Sequence, residues 1–430
     1  MTSDETSSES PDRPGMRARG AFPTPATRIG GVKELSELFW RQTPRGLLVT
    51  RSRLPPPGYR TEESYALVPS ARHPRYILPL HPRHQASRSV SLYNALSARP
   101  RQFARLLAAG GLRVGVVQPL LRDRLYVHVP EEFRDEDSAN DSLICHVARQ
   151  LGAGPLRGFI GLGGAGQYAK PVIQMISEDG QPVAFVKVGW NEITASLVTN
   201  EVSALRRCAD KRFSILRVPR SLYAGRWAQL ELSVSSPLPT DVRRYRPDVL
   251  PPLRTTSEIC GLGGGDRQPV WNGPYADSIR TQVGEGTLRG TLRWLSARFP
   301  DAELRIGSWH GDWVPWNLAT RGAELHAWDW EYSRDLAPLG FDVLHFFFQS
   351  AFVRDQKSLV TAIRRCRMAA AEPLGHLGIP SELVDLLLAL YLLEICLRAE
   401  RAEHLGIVPN PRLHPEIREL LERPGAIPGL

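Results

Sequence analysis

The sequence predicts an α+β chain in which a small, mainly antiparallel sheet lobe precedes a larger helical lobe, with a separate small α+β domain in front of both. Three observations predict it. Residues 157–235 alternate strand, glycine turn, strand, strand, helix and strand, a succession that buries one helix against one sheet. Beyond 236 the apolar residues fall at helical spacing. Between the first strands and this lobe, the acidic run EEFRDED at 131–137 reads as a linker.

A chain of 430 residues is long enough for two or three folded units with ample core. The order expected is a tail over 1–30, a basic α+β domain of unknown role over 31–130, a sheet lobe over 131–235 and a helical lobe over 236–430. The tail, MTSDETSSESPDRPGMRARG onward, lacks the apolar core of a signal peptide, which implies a disordered start and a cytoplasmic location. In the front domain, Gly31–Trp40 reads as a helix, and GLLVT, SYALVPS, RYILPL and LYVHV read as strands. Two helices are expected between the last two of these, near 90–96 and 102–109. In the sheet lobe, a helix ending near Leu151 leads to LRGFI, KPVIQMIS and PVAFVKVG as strands. Apolar positions 197, 198, 202 and 205 predict a helix, and WAQLELSV a closing strand. Later helices are expected near 275–298, 355–372 and 381–405.

The most apolar of these, near 382–399, is interrupted by Asp385 and Glu394, so no membrane span is expected. Five cysteines without a CxxC pair read as buried free thiols. The net charge of +9 is polarised: the first 130 residues hold about twenty basic residues against about nine acids, whereas 301–430 sum to about −5. A basic front half suits a phosphate-bearing partner such as an anionic glycan or phospholipid surface, or reflects general arginine usage; nucleic acid is not expected as a partner.

Three stretches carry chemistry. Gly161, Gly163 and Gly166 form GxGxxG, followed by an extended run rather than the helix that a dinucleotide turn requires. A strand-turn-strand hairpin can bring backbone N–H groups against phosphates. Lys187, inside the apolar strand VAFVKVG, needs an anionic partner if buried. A nucleotide phosphate and Glu201 on the next helix are both candidates, with Glu192 a weaker one. The third stretch is GSWHGDWVPWNLATRGAELHAWDWEYSRDLAPLGFD at 307–342. There Asp312 and Asn317 lie in a segment that Gly311 and Pro315 keep from regular helix, and a hairpin turning at Arg321–Gly322 returns Asp329 to Asn317. One amide and two carboxylates would then converge, as a magnesium site with a base requires.

HGDWVPWN followed by WDWE resembles the signature of the aminoglycoside phosphotransferase and choline kinase superfamily, over residues 145–405. The resemblance implies a bilobal, protein-kinase-like fold with ATP between the lobes, and transfer of the γ-phosphoryl group to a hydroxyl of a small molecule: a sugar, aminoglycoside, amino alcohol or related metabolite. It implies Asp312 as catalytic base, Asn317 and Asp329 as Mg2+ ligands, Lys187 on the α and β phosphates and Glu201 fixing Lys187. His310 and Asp342 would brace the loop. Residues 230–234 would form the hinge that hydrogen-bonds adenine through its backbone. Most tryptophans of the strip would pack in the core rather than cage a quaternary ammonium group. The alternative is a non-catalytic nucleotide-binding module serving a partner protein or nucleic acid. Peptide acceptors are disfavoured, because Trp330–Glu331 follows Asp329 with no long activation segment.

Overall fold

The computed structural model describes residues 32–42, 46–93, 99–132, 142–163, 169–405 and 410–429. Gly166, with the centre of the glycine turn, lies outside them, as does the tail over 1–30. The strands are β1 (Leu48–Thr50), β2 (Tyr59–Val68), β3 (Tyr76–Pro79), β4 (Arg124–Pro130), β5 (Arg157–Gly161), β6 (Val172–Ile176), β7 (Pro182–Gly189), β8 (Leu216–Arg217), β9 (Ser221–Trp227) and β10 (Leu230–Ser235). All but β8 join one antiparallel sheet in the order β1-β4-β2-β3-β5-β6-β7-β10-β9.

That order corrects the expected separation of the front domain. Tyr76 and Ile77 of β3 pair with Gly161 and Ile160 of β5, so the front strands extend the sheet of the following lobe. The physical reason is edge closure: β3 and β5 would otherwise each present a row of unpaired backbone groups. The core is shared too. Leu35, Trp40, Tyr65 and Leu67 from the front pack in one cluster with Val147, Met175, Val186 and Leu232. The opposite sheet face holds Ala66, Leu78, Leu112 and Phe159, so β2 alternates apolar residues to both sides.

Four helices accompany the front of the sheet: α1 (Val32–Phe39), α2 (Arg83–Leu92), α3 (Arg99–Val114) and α4 (Leu143–Gln150). The helix expected near 90–96 starts earlier, directly after Pro82, and 94–98 lie outside the described residues. Helix α5 (Glu192–Ala209) opens on a capping box between Asn191 and Thr194, satisfying donors at its first turn. The stretch WAQLELSV divides between β9 and β10, because Ala228 takes a left-handed φ of 51° and turns the chain. Residues 231–234 are laddered on both sides, to β7 and β9, and Leu230 pairs with β9, so their backbone is spent in the sheet rather than in the expected hinge. The chain leaves the sheet at Ser236 instead.

The second half contains α6 (Leu253–Cys260), α7 (Pro274–Val283), α8 (Leu288–Arg298), α9 (Phe341–Gln349), α10 (Leu359–His376), α11 (Val384–His404) and α12 (His414–Glu422). The single helix expected over 275–298 is two, broken at Gly284 with φ 57°. Helix α11 is buried from Leu386 to Leu393 and forms the centre of the largest apolar cluster. No helix among the described residues is long and apolar enough to cross a membrane. Two small sheets hold the connecting strip. One places β13 (Glu303–Trp309) between β12 (Asp266–Pro269) and β16 (Arg334–Pro338); the other orders β11 (Arg243–Arg244), β14 (Leu318–Arg321), β15 (Glu324–Ala327) and β8.

Candidate active site

β13 ends at Trp309, and the next residues form a loop because Gly311 takes φ +83° with its α-carbon hard against Tyr332; an added Cβ would sit 2.2 Å from the Tyr332 carbonyl oxygen. Asp342, at the start of α9, fixes this loop by accepting the N–H groups of His310 at 2.9 Å and Gly311 at 3.2 Å. Burial pushes the Asp342 carboxyl up to about 7, against those two donors and the Arg398 guanidinium. Arg398, on α11, donates to the Gly311 carbonyl at 2.9 Å and lies over the rings of Tyr332 and Trp309.

His310 is fully buried, its Nδ1 accepting the Asp312 N–H at 3.1 Å and its Nε2 lying 3.1 Å from the Trp328 carbonyl. Those partners place the single ring proton on Nε2. Burial lowers its pKa to about 4, against the charges of Asp312 and Asp329. In the unfolded chain the ring protonates near 6.5, so below that pH the unfolded state takes the proton first and stability falls as pH drops towards 4. At about 1.4 kcal/mol per pKa unit the loss is on the order of 3 kcal/mol. The difference in urea-unfolding midpoint between wild type and His310→Gln should shift against the wild type from pH 7 to pH 4.5, which separates this contribution from the opposite ones of the raised Asp342 and Glu331 carboxyls.

Asp312 leaves this loop half-buried, with both carboxylate oxygens engaged. Asn317 Nδ2 donates to its Oδ2 at 2.8 Å and to its backbone carbonyl at 3.1 Å. His345 Nε2 lies 3.1 Å from Oδ1, and the other ring nitrogen of His345 meets the Tyr391 hydroxyl at 3.0 Å. The Asn317 amide nitrogen is thereby committed to Asp312, which directs its carbonyl oxygen elsewhere. The hairpin β14–β15 pairs Leu318 with Ala327, and the Trp328 N–H reaches the Asn317 carbonyl at 3.3 Å. Asp329 then follows in a left-handed conformation, φ 70°, ψ 56°. Such a conformation is strained for a residue other than glycine and aims the side chain back toward the sheet lobe.

There Lys187 of β7 receives it. Lys187 Nζ lies 2.6 Å from Asp329 Oδ1, 2.7 Å from Glu201 Oε1 on α5 and 3.8 Å from Glu331 Oε2. Burial disfavours this ammonium, but the three carboxylates outweigh it and hold Lys187 protonated well above its ordinary range. Burial likewise opposes the charge on Asp329, yet Lys187 and Lys170 hold its carboxyl down to about 2. Glu331 takes the opposite course: burial and the Asp329 charge push it up to about 7. Lys170, just past the glycine turn, spans to Glu331 at 2.8 Å, and Asn200 of α5 donates to the carbonyls of Glu331 and Ser333. Glu192 stands at the start of α5, and the Lys187 contacts go to Glu201 instead.

Thus Lys187, Glu201, Asp312, Asn317 and Asp329 are brought to one region where the sheet meets the helical lobe. Gly161 closes β5 beside Tyr93, and Gly163 follows with φ +79°. Trp309, Trp313 and Trp330 are fully buried, and Trp316 and Trp328 half-buried, so the strip's tryptophans serve mainly as core. Sequence reasoning missed His345, Tyr391, Arg398 and Asn200. Each reaches the site from a helix with no motif of its own, so spacing held no signal for them. Lys170 carried a faint one, as a second basic residue beside the glycine turn.

No family model and no curated protein matches the chain. Among solved structures it is similar to a thermostable mutant of aminoglycoside phosphotransferase APH(4)-Ia in ternary complex with ADP and hygromycin B, at 14% identity and TM-score 0.42, over 66% of this chain and 99% of that one. It is also similar to choline kinase LicA from Streptococcus pneumoniae, at 14% identity and TM-score 0.36, over 61% and 92%. A third is amicoumacin kinase hAmiN in complex with AMP-PNP, Ca2+ and Ami, at 12% identity and TM-score 0.35, over 61% and 87%.

Proposed function

We propose that the chain is an ATP-dependent phosphotransferase of the aminoglycoside phosphotransferase and choline kinase type, acting on a hydroxyl of a small molecule. The observation that carries this reading is the contact of Lys187 with both Glu201 and Asp329, set beside the Asp312–Asn317 pair. A cation held by two acids, with an amide oxygen and a further carboxylate nearby, fits the needs of a metal-bound nucleoside triphosphate. The donor set is suited to Mg2+: the Asn317 carbonyl oxygen and the Asp329 carboxylate are hard oxygen ligands. Mg2+ bound there would neutralise charge on the triphosphate during transfer.

The residues divide the remaining work. Lys187, oriented by Glu201, would offer its ammonium to the α and β phosphates, and Asp329 would hold the metal together with Asn317. Gly161 and Gly163, lacking side chains, would let backbone approach the phosphates. Asp312 accepts the acceptor's hydroxyl proton, its carboxylate held in place by Asn317 and His345. Adenine recognition falls to the backbone past β10, from Ser236 on, because residues 230–234 spend their backbone in the sheet.

The test is Mg2+-dependent consumption of ATP in the presence of pooled hydroxyl metabolites. Chelation should abolish it and added Mg2+ restore it, and Asn317→Ala should raise the Mg2+ concentration needed by about tenfold or more. Tight ATP binding without turnover on any pool would instead support the non-catalytic module.

A further inference from the structure

Six large apolar side chains stand out of the surface within one stretch: Phe103 is 66% exposed, Leu106 58%, Leu107 61%, Val114 66%, Val116 65% and Leu120 75%. At 100° per residue, positions 103, 106, 107 and 114 share one stripe of α3. The opposite side of the helix is already used: Ala109 and Leu112 are buried, and α3 packs on α2. The outer stripe therefore has no role in the core. Exposures this high belong to protruding side chains rather than to the walls of a groove. A cluster of exposed large apolar side chains along one helix face marks an interaction site.

The charge around it selects the partner. From Ser64 to Arg122 the chain carries nine arginines and no aspartate or glutamate, where 45 acids in 430 residues would average about six. Arg113 and Arg122 are exposed beside the apolar positions, and the Arg83 guanidinium lies against Gly115 between Val114 and Val116. The first acid beyond, Asp123, is occupied by Arg51 and the Ala71 N–H. Nucleic acid would satisfy the arginines but leave the leucines in water. A second copy meeting through the same face would bring arginine against arginine. A convex apolar stripe within an arginine field instead has the composition of a helix lying in a lipid interface.

We propose that the outer face of α3, with the Val116–Leu120 turn beyond it, seats on the surface of an anionic phospholipid membrane. The apolar side chains enter the headgroup boundary, and Arg83, Arg113 and Arg122 pair with lipid phosphates. The chain rests on the bilayer without crossing it.

The experiment is co-sedimentation of the full chain with vesicles of phosphatidylcholine alone or mixed with phosphatidylglycerol. The wild-type chain should bind the mixed vesicles about tenfold more tightly, with binding weakened by added salt. Leu106→Asp with Leu107→Asp should lower binding about tenfold or more, and Arg113→Glu should lower it on the anionic vesicles. Met368→Asp, at an exposed position on α10, should bind as wild type. Because the substituted leucines lie outside the core, thermal melts of the variants should match wild type. Equal binding to both vesicle types, or unchanged binding by the leucine variant, would overturn the proposal. So would a wild-type dimer in sedimentation equilibrium that the leucine variant dissociates, with no vesicle binding, since the face would then be an interface between copies. A phosphotransferase that never touches vesicles would sink this inference and leave the proposed activity standing.

Discussion

Asp312→Asn is expected to lower ATP-dependent transfer by about 10²–10⁴-fold, the range that removal of a general base covers, while ATP binding changes little. Asn keeps the shape of the carboxylate and the bond to His345 or Asn317, but it cannot take a proton. The loop beneath it is fixed independently, by Asp342 on two backbone N–H groups and by Arg398 on the Gly311 carbonyl. A rate loss would therefore report on chemistry and not on a collapsed loop. Calorimetric titration with ATP and Mg2+ alongside the turnover assay separates the two. Turnover equal to wild type would remove Asp312 from the mechanism.

Lys187→Met is expected to weaken ATP use by about 10²-fold or more in kcat/KM and to destabilise the folded chain near neutral pH. Without its ammonium, Glu201, Asp329 and Glu331 lose their shared partner, and Lys170 remains paired with Glu331. The sign follows from Asp329, whose carboxyl is held at about 2 in the fold against 3.8 as a free side chain. A depressed carboxyl pKa stabilises above the unfolded value and loses that contribution as pH falls through the folded one. Here it is worth about 2 kcal/mol, and Lys187→Met forfeits it. The gap between wild type and variant in urea unfolding should be widest near pH 7 and narrow as pH drops from 5 to 3. A gap independent of pH would place the stabilising role of Lys187 in packing instead.

Much of this site was legible because its parts are local. Asp312 and Asn317 lie five residues apart in a segment that Gly311 and Pro315 bend, and the hairpin that carries Asp329 back is marked by Arg321–Gly322. Strand alternation likewise identified β5, β6 and β7, and helical spacing identified α5. What was not legible came from elsewhere in the chain. His345 reaches Asp312 and Tyr391 reaches His345 from two helices of the lobe behind the loop, and Arg398 reaches Gly311 from α11. A histidine on a buried helix looks the same in sequence whether it packs or positions a carboxylate.

The front of the chain makes the same point at the level of the fold. Its strands were visible as β-rich runs, and the acidic run after Val129 looked like a boundary. Whether a strand closes its own small sheet or docks on another depends on which edges meet, and β3 meets β5. Period and composition describe the face of a strand, whereas the edge is backbone and nearly sequence-blind. By itself, then, the sequence singled out the strip at 307–342, the strand lysine and the helix glutamate, since each is a short-range pattern of side chains. Only the tertiary structure decided that one nine-stranded sheet joins the basic front to the strands β5–β10 and that Lys187 meets Asp329 across 142 residues of chain. Those contacts form between distant backbone edges and charged tips, whose partners no local pattern names.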